Sequence, residues 1–271
     1  MGVKIWHQSY TDLTRLPGYA AMLQEHAQRI CEPDTQVVLH GVAPGTYPEG
    51  MPPIAMVGLP YANHLVFLQI IENAIQAERE GYDAMAISCF VDPALEAARS
   101  MVDIPIVSSC ESALLVSATI GRAPGLLTLD EIMAKELRHL VARYGYAGRV
   151  VAVDAMDPPI DEFELDAAFA GSPEFVARFS AQAQTLIARG ADVIIPAEGV
   201  LNTVLVRNDV RRIGDTPVLD SYGSLLGMAE MLVRLRRRSG LSTGRGGAYA
   251  RTPPDLADNL RRHAAEALGR G

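Results

Sequence analysis

The chain has 271 residues, 49% of them hydrophobic and 21% charged, enough apolar material for one large core or two of ordinary size. A net charge of −8 leaves no excess of Lys and Arg to grip a polyphosphate, which argues against nucleic acid as a partner. No apolar run approaches the roughly 20 residues that span a bilayer, so no membrane partner is expected either. The opening "MGVKIWHQSY" lacks the apolar stretch of a signal peptide, and Trp6 interrupts a myristoylation pattern. Three cysteines, Cys31, Cys89 and Cys110, build no disulfide framework, and together these features predict a cytoplasmic protein.

In chain order, short apolar runs alternate with amphipathic stretches, the rhythm of βα units around parallel sheets. Residues 3–6 predict a strand, 17–31 a helix, 35–42 a strand and 64–81 a helix. A strand at 84–88, a helix at 93–101, a strand at 104–109 and a helix at 111–121 follow. Beyond them come a helix at 130–145, a strand at 149–155, a helix at 172–190 and strands at 192–197 and 217–221. The helix 222–240 ends in the basic run "RLRRR", which reads as a solvated helix end whose cations complement the dipole; a partner patch is the alternative. From 240 onward, Gly and small polar residues predict a mobile loop or arm before a short final helix.

Two stretches repeat. "EGYDAMAISC" (80–89) and "RGADVIIPAE" (189–198) share a helix-ending Gly, an Asp two residues later, an apolar strand and a polar residue at its end. Cys89 and Glu198 therefore hold matching positions. "DIPIVSSCESALL" parallels "DTPVLDSYGSLLG", and "VKIWHQSY" pairs weakly with "RVVAVDAM". The expected fold class is α/β, with two pseudo-symmetric domains, each a mainly parallel sheet flanked by helices. Residues 1–119 with 215–240 form the first domain, the strand 217–221 completing it; 120–214 form the second, and 241–271 a loop and short helix. Ligands of open α/β sheets bind beyond the carboxyl ends of strands, so Cys89 and Glu198 would meet in the interdomain cleft.

Cys89 stands at a strand end before "DPALEAA", where a helix dipole can hold a thiolate, although free Cys is also often buried and inert. Cys110 and Cys31 read as packing residues. Glu198 follows "VIIPA"; a carboxyl in an apolar cleft has a raised pKa suited to proton transfer, and capping the following helix is the equal alternative. "HQSYT" (7–11) reads as a hydrogen-bonding loop after the first strand, with a plain turn as the equal alternative; as a loop it nominates Gln8, Ser9 and Tyr10 as substrate contacts. "SSCES" (108–112) reads as an anion-binding helix start that nominates Ser109, and Thr128 is placed with it. His64 reads as a helix-start residue. His7, His64, Glu198 and Asp220 lack metal-ligand spacing, so no metal is expected, and the absence of GxGxxG or GxxxxGK[ST] argues against a nucleotide.

At "EGYDAMAISCFVDPALEAARSMVDIPIVSSCESALLVSA" the sequence resembles the aspartate/glutamate/hydantoin racemase superfamily, its hydantoin racemase branch above all. The resemblance implies two pseudo-symmetric α/β domains around one site, no cofactor, a small-molecule substrate and a homo-oligomer. It implies catalysis by two cysteines, one removing the proton alpha to a carbonyl and the other delivering one to the opposite face. Cys89 matches the first cysteine. Phe90 and Val91 match the backbone stretch that binds substrate, and "HQSYT" the first substrate loop. "DVIIPAEGVL" stands where the second cysteine belongs, with Glu198 in its place and Gly199 and Val200 beside it. Backbone N–H groups near 89–91 and 198–200 are expected to stabilise an enolate-like intermediate. Three functions follow: a racemase with Cys89 and Glu198 as opposed bases on a small carboxylate, amide or hydantoin-type substrate; a Cys89-nucleophile hydrolase, isomerase or decarboxylase with Glu198 as acid/base; or a non-catalytic ligand-binding protein.

Overall fold

The computed structural model describes residues 2–269. Its first half runs β1 (Val3–Ser9), α1 (Pro17–Ile30), β2 (Thr35–His40), α2 (Pro60–Arg79), β3 (Ala84–Ser88), α3 (Leu95–Met101), β4 (Ile106–Ser108) and α4 (Ser109–Ile120). The four strands form a parallel sheet in the order β2-β1-β3-β4, with Trp6 opposite Val38 on one side and Met85 on the other. The second half runs β5 (Pro124–Thr128), α5 (Glu131–Arg143), β6 (Ala152–Ala155), α6 (Glu162–Ala167), α7 (Pro173–Ala188), β7 (Val193–Pro196) and α8 (Gly199–Arg207). Its strands make a second parallel sheet in the order β6-β5-β7. A small antiparallel pair, β8 (Arg212–Ile213) and β9 (Thr216–Pro217), leads into α9 (Ser221–Ser239), and α10 (Pro254–Leu268) closes the fold.

Several boundaries differ from the sequence reading. β1 continues to Ser9, so His7, Gln8 and Ser9 belong to a strand and not to a loop. β5 was not expected at all, yet it is the centre of the second sheet. The weak pairing of residues 3–10 with 149–156 is therefore wrong, because β5, not β6, stands where β1 stands. The strand expected at 217–221 to complete the first sheet lies against the second: Val218 bridges Ile194, and the Leu219 N–H donates to the Ile194 carbonyl at 2.8 Å. The matching edge of the first sheet is already taken by β4. Only α9 returns, packing on β1, β3 and β4 while α4 reaches β5 and β7, and the two helices pack against each other.

A continuous apolar core lies between the sheets, joining Ile5 and Val107 of the first to Leu126 and Ile194 of the second through Leu114 and Leu225. A second cluster, with Trp6, Ile70, Met85 and Ile87, fills the space under α2. Each fully buried side chain of this size contributes about 1.5–3 kcal/mol, so the β1 and β3 centres are fixed from both faces. The segment after 240 does not reach away as an arm. The Arg245 Nη2 meets Asp103 at 2.7 Å, Arg251 meets the same carboxylate at 2.5 Å, and Arg261 meets Glu72 at 2.8 Å, which ties the segment to the rim of the first sheet. No helix among the described residues is long and apolar enough to cross a membrane.

Candidate active site

Cys89, the residue after β3, and Glu198, two residues beyond β7, line one narrow cavity of about 40 Å3. Ser9, Tyr10, Phe90 and Val200 also line it, together with Tyr19 of α1, Ile54 of the 53–56 turn, Met133 of α5 and Glu162 of α6. The remaining nominated contacts lie outside. The Gln8 carboxamide is spent within the chain, accepting from Trp6 Nε1 and Asn73 Nδ2 at 2.9 Å each and donating to the Ser9 carbonyl. Strand alternation turns it to the Trp6 side of the sheet. The Ser109 hydroxyl donates to the Ile87 carbonyl at 3.3 Å, and that of Thr128 to the Ala197 carbonyl at 2.9 Å. Both seal strand ends. The Val91 N–H is turned to the Cys89 sulfur, and the Gly199 N–H to the Glu198 carboxyl.

Cys89 is half-buried at the end of β3, and the chain turns sharply behind it, the Asp92 N–H donating to the Cys89 carbonyl at 3.2 Å. α3 is only seven residues long and starts at Leu95, after Ala94 in the left-handed region (φ 56°), and no thiolate-holding helix end supports Cys89. Burial pushes the thiol well up, with the carboxyls of Asp92, Glu198 and Glu162 adding to it and the Val91 N–H opposing. Burial thus favours the neutral thiol over the thiolate that a helix end would hold.

The anion at the start of α4 is the protein's own. Asp92 accepts from the Cys110 N–H at 2.9 Å, the Glu111 N–H at 3.0 Å, the Tyr144 hydroxyl at 2.7 Å and the Ser108 hydroxyl. Burial still lifts its pKa to about 6. Cys110 is fully buried in the core and Cys31 half-buried at the end of α1, as packing residues should be. His64 is exposed near the start of α2, at its fifth residue.

Glu198 combines both of its expected roles. It is the N-cap of α8, accepting from the Leu201 N–H at 2.7 Å, with the Val200 and Gly199 N–H groups also on its carboxyl. It also lines the cavity, where burial raises its pKa against the pull of those three donors. The Leu201 N–H, with the Val200 and Gly199 N–H groups beside it, thus favours the charged form of Glu198. Glu162 was missed by sequence reasoning. It opens α6, behind a capping box made by Asp161 and Glu164, and is 5% exposed. Burial first, then the Glu198 charge, push its pKa up to about 8. The available signal was the D-x-x-E spacing at 161–164, which announces a helix start. Tyr19 completes the wall: its hydroxyl bonds Ser88 and lies where a Cβ on Gly199 would come within 2.5 Å.

Among the described residues, the cavity lining carries no Lys, Arg or His, and no three His, Cys, Asp or Glu side chains are arranged to hold a metal ion. Such a site can exchange protons between a thiol and two carboxyls in a place poor in water.

A profile of the Asp/Glu/hydantoin racemase family matches residues 19–229. The chain is 31% identical over 143 residues to a hydantoin racemase of Pseudomonas sp. (strain NS671), a stretch covering 52% of this chain and 54% of that protein. It is 29% identical over 178 residues to a hydantoin racemase of Rhizobium meliloti, covering 65% of this chain and 68% of the other. The chain thus spans about half the length of the first relative and two thirds of the second. In structure it superimposes on an allantoin racemase from Klebsiella pneumoniae with a TM-score of 0.75 at 21% identity, over 93% of this chain and 94% of that one. At that identity the likeness speaks for the fold alone.

Proposed function

The chain belongs to the Asp/Glu/hydantoin racemase family, and from that premise we propose that it racemises a small neutral substrate without a cofactor, by proton transfer at the carbon alpha to a carbonyl. Glu198 takes the proton on one side and the Cys89 thiol supplies one on the other. One observation carries this reading: the thiol that ends β3 and the carboxyl that ends β7 line the same cavity. In this reading the first sheet with α9 forms one domain and the residues between α4 and α9 the other, the cavity lying between them.

The lining also narrows the substrate. A carboxylate would enter a cavity that holds Glu162 and Glu198 and offers it no cation, and burying an uncompensated charge is costly. A cyclic ureide or amide, neutral and rich in N–H donors, suits two carboxyls instead. The neutral state of Cys89 favours proton delivery over nucleophilic attack, since the thiolate is the nucleophile.

The test is incubation of enantiopure 5-benzylhydantoin, L-aspartate and L-glutamate with the protein in deuterated water. The expected result is deuterium at C5 of the hydantoin with loss of optical rotation and no change in the amino acids. Cys89→Ala should abolish net racemisation. A product of new mass, or faster exchange of aspartate than of the hydantoin, would overturn the reading.

A further inference from the structure

Proton abstraction alpha to a carbonyl places negative charge on the carbonyl oxygen, and that oxygen needs a donor. In the two loops expected to give one, the Leu201 N–H already donates to Glu198 at 2.7 Å, and the Gly199 and Val200 N–H groups favour the same carboxyl as the Val91 N–H favours the Cys89 sulfur. Glu162 offers a donor that no other group in the chain draws on. Its carboxyl receives the Ile54 N–H and its own, and its Oε2 is buried without a hydrogen-bond partner. A carboxyl oxygen in that state suits a proton it can present to a ligand.

The electrostatics assign that proton. Two carboxyls in one dry cavity do not both ionise without a large penalty. Three backbone N–H groups at the start of α8 favour the charge on Glu198, and the helix dipole adds to them. The proton therefore goes to Glu162. We propose that Glu162 is the acid of this cavity, its Oε2–H hydrogen-bonding the substrate carbonyl oxygen while Glu198, charged, acts as the base.

This step rests on the proton-transfer reading above. The Glu198 carboxylate takes the alpha proton, the C–H electron pair moves into the new C–C double bond, and the carbonyl π pair moves to the oxygen held by Glu162. As the enolate collapses, the Cys89 S–H protonates the opposite face and becomes a thiolate. Glu162 keeps its proton throughout, so the cavity carries one negative charge that moves from Glu198 to the Cys89 sulfur. The other enantiomer follows the same steps in reverse. With Glu162 ionised, the carbonyl oxygen loses its donor, and two neighbouring carboxylates oppose the charge of the enolate.

Two measurements test this separately from the substrate assignment. First, the side-chain carboxyl resonances of protein labelled with carbon-13 at glutamate Cδ should show at pH 7 a protonated carboxyl that is missing from Glu162→Gln. Absence of such a resonance from the wild type, or its survival in Glu162→Gln, overturns the proposal whatever the substrate proves to be. Second, deuterium exchange into 5-benzylhydantoin should fall by about 10²–10³ in Glu162→Leu, the loss expected for one missing donor. Glu162→Gln, which keeps an N–H donor, should stay within about tenfold of wild type at pH 7. The rate of the wild type should decline as pH rises above 8, and Glu162→Gln should lose that decline. Identical pH profiles for wild type and Glu162→Gln would mean a structural role only and would overturn the proposal. A wild type inert toward hydantoins defeats the substrate reading, while the carboxyl resonance still decides on Glu162.

Discussion

Asp83 and Asp192 anchor the central strands of the two sheets in the same way. Asp83 accepts the Lys4 N–H at 2.8 Å and returns its own N–H to the Lys4 carbonyl at 2.8 Å, at the start of β1. Asp192 accepts the Arg122 and Ala123 N–H groups at 2.8 Å each and donates to the Ala123 carbonyl at 3.0 Å, just before β5. A carboxylate at this position gives the first peptide groups of a central strand their partners, which explains why the repeat retains Asp. Asp192→Ala should lower the unfolding free energy by about 1–3 kcal/mol, with Asp192→Asn intermediate. Chemical denaturation at pH 7 checks this, and an unchanged midpoint would mean that the strand start is held by packing alone.

Cys89 should be unusually unreactive for a cysteine that faces a cavity. Burial and three neighbouring carboxyls favour the thiol, and alkylation needs the thiolate. Iodoacetamide at pH 8, followed by peptide mass spectrometry, should modify Cys89 at least about tenfold more slowly than the same residue in urea. Glu198→Gln removes one of the opposing charges and should speed the native reaction. Labelling of Cys89 at the unfolded rate would show that the thiolate is populated and would reopen the nucleophile reading.

The repeat makes Cys89 and Glu198 legible in the sequence, because period, Gly and Asp recur around a strand whose end must face the cleft. The central strand β5 was not legible. Its "PGLLT" opens with Pro and Gly, residues that ordinarily end strands, yet Gly125 fits a tight place there: a Cβ would come within 3.0 Å of the Ala191 Cβ and 3.2 Å of the Leu186 Cβ. Only the packing of α7 reveals that. Gln8, Ser109 and Thr128 were nominated as polar residues near strand ends, but each finds its partner inside the chain. Glu162 escaped notice because its importance comes from facing Glu198 across 36 positions of sequence, and no local pattern records such a meeting.

His7 sits at the centre of β1, fully buried against Tyr222, with neither ring nitrogen hydrogen-bonded. Burial, and then the His40 charge, hold its pKa down at about 3, so the folded protein keeps it neutral. Between the ordinary value of 6.5 and about 3, the unfolded chain binds a proton that the folded one refuses. Wild-type stability therefore falls as pH drops through that window. His7→Leu should be more stable at pH 7 by about 1–3 kcal/mol, the cost of burying an unpaired polar group. Its advantage should widen at pH 5, and thermal melts at both pH values read it. An equal difference at pH 7 and pH 5 would show that His7 titrates normally.

Gly199 is the last sensitive point, because it links the two halves of the cavity. A Cβ there would meet the Tyr19 hydroxyl at 2.5 Å, and that hydroxyl is tied to Ser88, the residue before Cys89. Gly199→Ala must therefore push Tyr19 off Ser88 or shift the first turn of α8, and with it the carboxyl of Glu198. Either movement alters the spacing between the thiol and the carboxyl, and a misplacement near 1 Å costs on the order of 10²-fold in rate. The variant should fold, since alanine raises helix propensity at an N-terminal position without positive φ. Deuterium exchange into 5-benzylhydantoin should drop by about 10²-fold with little change in melting temperature. Tyr19→Phe in the same background removes the clashing hydroxyl and should restore at least part of the rate. Failure of that second change to help would place the damage in α8 itself.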